Sequence, residues 1–234
     1  MSVRVFDSVE ALSEAAAALI LDRLTHSTGR FHLALSGGST PKKLFAILAS
    51  PVFAESVPWP RIHFWWGDER FVPPTDPDSN EKMARETMLD QMPIPAEHIH
   101  PMYRPGTAEG AARAYESELR DFMPNGEFDL VLLGLGPDAH TASLFPGDPS
   151  INEREHWVLA STGAAGVKQR LTLTPVILNK AKEVIFLAAG PDKTVPLTHV
   201  MNEPYNPDKY PAQIVARNAG NVLWMVDTAA ASCL

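Results

Sequence analysis

The stretch FDLVLLGLGPDAHTASLFPG, Phe128 to Gly147, constrains the fold more than any other part of the chain. It runs apolar from Phe128 to Leu133 apart from Asp129, and Gly134 and Gly136 then break it. Asp138, His140, Thr141 and Ser143 follow directly, before a Pro-Gly stop. Buried parallel strands read as near-continuous apolar runs. In open α/β sheets, ligands bind just outside the carboxyl ends of such strands. A carboxylate two residues before a histidine, on a glycine-rich turn at that position, is where a general base and its orienting partner would sit. The alternative is plainer: Asp138 caps a short helix and His140 is an ordinary loop histidine.

The same strand-then-helix rhythm recurs along the chain. Strands are predicted at Val3–Phe6, Phe31–Ser36, Arg61–Trp66, Trp157–Ser161, Arg170–Leu173, Glu183–Gly190 and Asn221–Asp227, besides the Phe128 run. Ser8 reads as the N-cap of a helix through Leu24, and Pro41 sits in the first turn of another. Helical patterns also cover Asn80–Met92 and Thr107–Met123, a start near Thr174, and Pro191 to about Met201. Alternation of this kind implies right-handed crossovers and a mainly parallel sheet covered on both faces. The 21 prolines cluster in loops between elements rather than at one boundary. One α/β domain spanning residues 1–234 is therefore expected, although length alone leaves one or two domains open.

The net charge of −8 argues against a nucleic-acid partner, since such proteins usually show a basic face. It leaves room for one small anion held by a local group of cations. The lone cysteine, Cys233, rules out a disulfide framework and a cysteine-based metal site. No apolar stretch approaches the roughly 20 residues that cross a bilayer. The mixed N-terminal segment lacks the apolar core of a signal peptide. These features predict a cytoplasmic protein with no membrane partner.

Four strand ends carry candidate chemistry. In LALSGGSTPKKL, Gly37 and Gly38 can bring backbone N–H groups to an anion, with Ser39 beside them and Thr40 as a possible cap for the next helix. The spacing is not that of a P-loop. In WWGDERF, Asp68, Glu69 and Arg70 follow a strand that reads as buried, and Trp65 and Trp66 read as core. The third end is the Asp138/His140 turn. The fourth is the basic pair Arg170 and Lys193, a planar fork and a point charge suited to phosphate. Each also has an ordinary reading as a tight turn, a solvated charge or a surface cation. The other seven histidines show no metal-ligand spacing and are assigned structural or surface roles.

The segments LSGGSTP, WGDER, GLGPDAHTASLFPG, RLTLTP and AAGPDKT, in this order along essentially the whole chain, resemble the 6-phosphogluconolactonases. These enzymes hydrolyse 6-phosphogluconolactone to 6-phosphogluconate in the oxidative pentose phosphate pathway, and they are related in fold to glucosamine-6-phosphate deaminases. The resemblance implies a Rossmann-like three-layer α/β/α domain, a sugar-phosphate lactone as ligand, and no required metal or organic cofactor. Monomer and homodimer stay equally open. It further implies that His140 is the general base, with Asp138 its partner, and that Gly37, Gly38, Arg70, Arg170 and Lys193 line the phosphate and sugar pocket. For the oxyanion the candidates are a strand-end cation, with Arg70 the choice, or backbone N–H groups, and the sequence leaves open which of Arg70, Arg170 and Lys193 meets the phosphate and which the carbonyl. The family usually has Asp-Gly-His where this chain has Ala139. If that glycine has φ > 0, Ala139 either takes up strain or shifts the turn. In the deaminases a glutamate follows the histidine by five residues. Here that position is Phe145.

Overall fold

The computed structural model describes residues 1–163 and 166–234. The chain opens with β1 (Ser2–Phe6), α1 (Val9–His26), β2 (Phe31–Leu35), α2 (Ser39–Leu48), α3 (Pro51–Ala54), β3 (Ile62–Trp66) and β4 (Asp68–Arg70). Next come α4 (Asn80–Thr87), α5 (Ala108–Phe122), β5 (Leu130–Leu133), β6 (Val158–Thr162) and β7 (Gln169–Leu173). It closes with α6 (Pro175–Leu178), β8 (Val184–Ala188), α7 (Thr194–Asn202), α8 (Ala212–Asn218) and β9 (Val222–Asp227).

Six strands form one sheet in the order β1-β9-β8-β5-β2-β3, and every neighbouring pair is parallel. The apolar runs explain this arrangement. β2, β3, β5, β8 and β9 are buried at every residue, as strands covered on both faces must be. β1 is the exposed edge. Trp65, Trp66 and Trp224 are fully buried core residues. Helix starts follow the expected capping chemistry: Ser8, Ser79 and Thr107 each accept a backbone N–H three residues on. The chain order reverses between β2 and β5: from β2 it runs outward to β3, and from β5 it runs the other way through β8 and β9. A crevice forms at such a switch point, outside the strand ends.

The sequence reading needs one correction here. Segments 68–70, 158–162 and 169–173 do not extend the parallel sheet. They make a separate antiparallel sheet, β4-β7-β6. Gly67 is the pivot between the two sheets: its N–H donates to Leu35 of β2, and its carbonyl accepts from Leu173 at the end of β7, each at 2.8 Å. The small sheet therefore stands at the carboxyl end of the large one. α5 packs against β6 and β7. α8 has no counterpart among the expected elements.

Candidate active site

The turn after β5 is folded onto itself. Gly136 N–H donates to the His140 carbonyl (2.8 Å), Ala139 N–H to the Gly136 carbonyl (3.1 Å), and the Thr141 hydroxyl to the Gly134 carbonyl (2.9 Å). Asp138 Oδ1 accepts the His140 backbone N–H at 3.2 Å and lies 2.5 Å from His140 Nδ1. Partial burial pushes the Asp138 pKa up. His140's hydrogen bond and charge outweigh it and hold the carboxyl below the ordinary aspartate value. With Nδ1 engaged, Nε2 has no hydrogen-bond partner among the described residues. The ring lies directly on Gly136, where an added Cβ would fall 2.1 Å from Cε1 and Nδ1. Phe145 also packs against the ring, at 4.7 Å between ring centroids.

Ala139 has φ +62° and Ala142 φ +48°, both in the left-handed region. Ala139 is 1% exposed, and its carbonyl accepts the Ala212 N–H of α8 at 2.9 Å. Ala139 thus takes up left-handed strain that a glycine would not, at a cost of roughly 1–2 kcal/mol.

Cations face this turn from the small sheet. Arg70 of β4 and Arg170 of β7 are directly paired across the ladder, and both line the cleft. Like charges opposed in this way repel unless an anion lies between them. Burial lowers the Arg170 pKa, and the Arg70 charge lowers it further. Arg70 Nη1 donates to the Asp78 carbonyl (2.5 Å), and Arg170 Nε donates to the Val167 carbonyl (2.7 Å). Lys193 enters from the turn after β8, which Asp227 secures by accepting the Gly190 N–H at 3.0 Å. Its Nζ lies 2.7 Å from Asp192. Gly38, with φ +104°, is the N-cap of α2, so no side chain caps that helix.

These groups share one cleft of about 530 Å³ lined by Gly37, Gly38, Asp68, Arg70, Asp138, His140, Arg170 and Lys193. Every expected site residue except Ser39 is among them. Because Gly38 takes the cap position, Ser39 opens the helix, exposed and outside the lining. For the same reason Thr40 lies inside α2 instead of capping it. Asp68 accepts the Ser143 hydroxyl at 2.6 Å, which ties the small sheet to the β5 turn.

The sequence reading missed Asn80. It lines the cleft and donates from Nδ2 to the Asp68 carbonyl at 3.0 Å. A Cβ on Gly37 would fall 2.0 Å from Asn80 Oδ1, so only glycine fits beneath it. The Ser-Asn pair after the proline-rich loop was the one available signal. His32, His63, His98 and His100 are packed together away from the cleft: His63 Nδ1 lies 3.0 Å from His100 Nε2, and the His100 ring stacks on Trp65 at 3.8 Å. Among the described residues no group of three or more His, Cys, Asp or Glu side chains is placed to hold a metal ion. No helix there is long and apolar enough to cross a membrane.

The comparisons with known proteins agree with this layout. The family described as glucosamine-6-phosphate isomerases/6-phosphogluconolactonase matches residues 7–224. A 6-phosphogluconolactonase of Nostoc sp. is 43% identical over 90% of this chain and 87% of its own. One from Haemophilus influenzae is 37% identical over 92% and 91%. The solved 6-phosphogluconolactonase of Trypanosoma brucei superposes with a TM-score of 0.87 at 29% identity, covering 100% of this chain and 98% of that one. A strand-switch crevice, a histidine on the β5 turn and a match over nearly the whole length place the chain in the glucosamine-6-phosphate isomerase/6-phosphogluconolactonase family.

Proposed function

We propose that residues 1–234 form one catalytic domain that hydrolyses 6-phospho-D-glucono-1,5-lactone to 6-phospho-D-gluconate, the lactonase step of the oxidative pentose phosphate pathway. The observation that carries this reading is the Asp138–His140 pair at 2.5 Å, set at the end of β5 in a cleft that also holds two opposed arginines.

A lactone is an activated cyclic ester, so one base and one water suffice. Asp138 keeps the proton on Nδ1, leaving neutral Nε2 to take a proton from water as it attacks the lactone carbon. Such general-base help contributes about 10²–10⁴-fold. Asp138 also stabilises the imidazolium that forms. Arg70 stabilises the oxyanion, and the imidazolium then returns its proton to the departing ring oxygen. Arg170, Lys193 and the N–H groups around Gly37 and Gly38 hold the phosphate. Its binding energy is thereby used far from the reacting carbon. In this scheme His140 activates the water, and no metal or organic cofactor takes part.

Phe145 favours hydrolysis over the isomerase and deaminase chemistry found elsewhere in the family. Moving protons between carbon and oxygen needs a further carboxylate. The side chain packed against His140 at that position is a phenyl ring. The test supplies freshly made 6-phosphogluconolactone and, separately, glucosamine 6-phosphate. Acid release from the first and no ammonia from the second is the expected result. Ammonia and fructose 6-phosphate forming at rates comparable to lactone hydrolysis would overturn the reading.

A further inference from the structure

Glu69 sits between two cleft residues and faces the other way. Strand alternation puts Asp68 and Arg70 on one face of β4 and Glu69 on the opposite one, where it is 1% exposed. Burial pushes its carboxyl up to about 7, against the pull of the donors around it. Four donors converge there: the N–H groups of Arg70, Asn80 and Glu81, each at 2.7 Å, and the Ser79 hydroxyl at 3.1 Å. Both oxygens thus bind the first turn of α4 to β4. Ser79 already caps α4 by accepting the Lys82 N–H at 3.1 Å. Glu69 therefore does more than a helix start demands, and what it adds is the placement of Asn80.

Asn80 is 3% exposed, and its amide lies across Gly37 in the cleft. Nδ2 is committed to the Asp68 carbonyl. Oδ1 accepts no hydrogen bond among the described residues. An amide oxygen accepts and does not donate. Neither a phosphate dianion nor a lactone carbonyl has a proton to offer it, which leaves the hydroxyls of the sugar ring as partners.

We propose that Asn80 Oδ1 accepts a hydrogen bond from a ring hydroxyl of the substrate, and that Glu69 is the positioning residue that holds Asn80 there. This rests on the cleft being the lactone site. The test compares wild type, Asn80→Ala, Glu69→Gln and the double variant on 6-phosphogluconolactone and on glucono-1,5-lactone, which lacks the phosphate. Losing one hydrogen bond to a neutral hydroxyl should raise KM about 3- to 10-fold on both lactones, with kcat falling less than about twofold. The double variant should show no further rise, because Glu69 acts through Asn80. Thermal unfolding of each variant separates lost stability from a lost contact, and Asn80→Ala tests the contact even where Glu69→Gln fails to fold. Wild-type activity with unchanged KM in Asn80→Ala would overturn the contact. A Glu69→Gln protein of lower Tm but wild-type KM would reduce Glu69 to a helix clamp. Absence of lactonase activity in the wild type would overturn the reading of the cleft, and this inference with it.

Discussion

Replacing Gly136 with alanine should disable the enzyme without unfolding it. The His140 imidazole rests on the Gly136 Cα, and the new Cβ would stand 2.1 Å from Cε1 and Nδ1. Ordinary contact begins at 3.4 Å, so the ring must retreat by roughly 1.3 Å. Such a retreat stretches the 2.5 Å bond to Asp138 beyond hydrogen-bonding range and moves Nε2 off its line to the attacking water. A misplacement of about 1 Å costs on the order of 10²-fold. Gly136 is not at positive φ, so alanine meets no left-handed strain there. Expected, then, is kcat for 6-phosphogluconolactone lowered by about 10²-fold or more, with KM nearly unchanged and Tm within a few degrees of wild type. The assay is continuous acid release at fixed pH, paired with thermal unfolding. A folded Gly136→Ala protein with near wild-type kcat would refute the claim that the ring position on this turn governs the chemistry.

Arg170→Ala should raise KM for the phosphorylated lactone and narrow its kcat/KM advantage over glucono-1,5-lactone, and an unchanged ratio would remove Arg170 from the phosphate site. Ala139→Gly should leave activity at or slightly above wild type, because glycine relieves the strain at φ +62°; a large kcat loss at constant Tm would give the methyl group a role of its own. The buried His32 and His63, whose pKa values burial lowers to about 4 and about 3, should make stability fall as pH drops. The sign follows from linkage: their folded pKa values lie below the unfolded 6.5, so the stability they contribute is present above pH 6.5 and is lost as pH falls toward 4. The loss is on the order of 2 kcal/mol for each by pH 4.5. Chemical denaturation across pH 4.5–8 measures it, and a flat profile would contradict it. Exhaustive EDTA treatment should leave lactonase activity intact; loss restored by a divalent ion would overturn the metal-independent scheme.

Five of the six parallel strands, β2, β3, β5, β8 and β9, could be read from the sequence because burial on both faces leaves an apolar run that little else produces. β4 could not. Asp68, Glu69 and Arg70 read as a charged turn, and they become a strand only by pairing with β7. For the same reason β6 and β7 were expected in the large sheet: alternation fixes that strands exist but not which sheet they join. α8 begins at Ala212 behind Pro211, which has no side chain to cap it, so its start carries no capping signal. The strand-end residues were found because the switch-point rule says where to look. Asn80 was missed, and Glu69 was read as one of three charges at the strand mouth instead of facing away from it, because the contact that joins them spans eleven positions of loop and helix start and forms only when α4 docks on β4.

The central claim is that His140, held by Asp138, activates water for lactone hydrolysis. The most direct measurement is kcat for fresh 6-phosphogluconolactone in His140→Ala against wild type, corrected for spontaneous hydrolysis. A fall of at least about 10²-fold is expected in a protein that keeps its Tm and still binds 6-phosphogluconate. A folded His140→Ala protein that hydrolyses the lactone at close to the wild-type kcat would contradict the account.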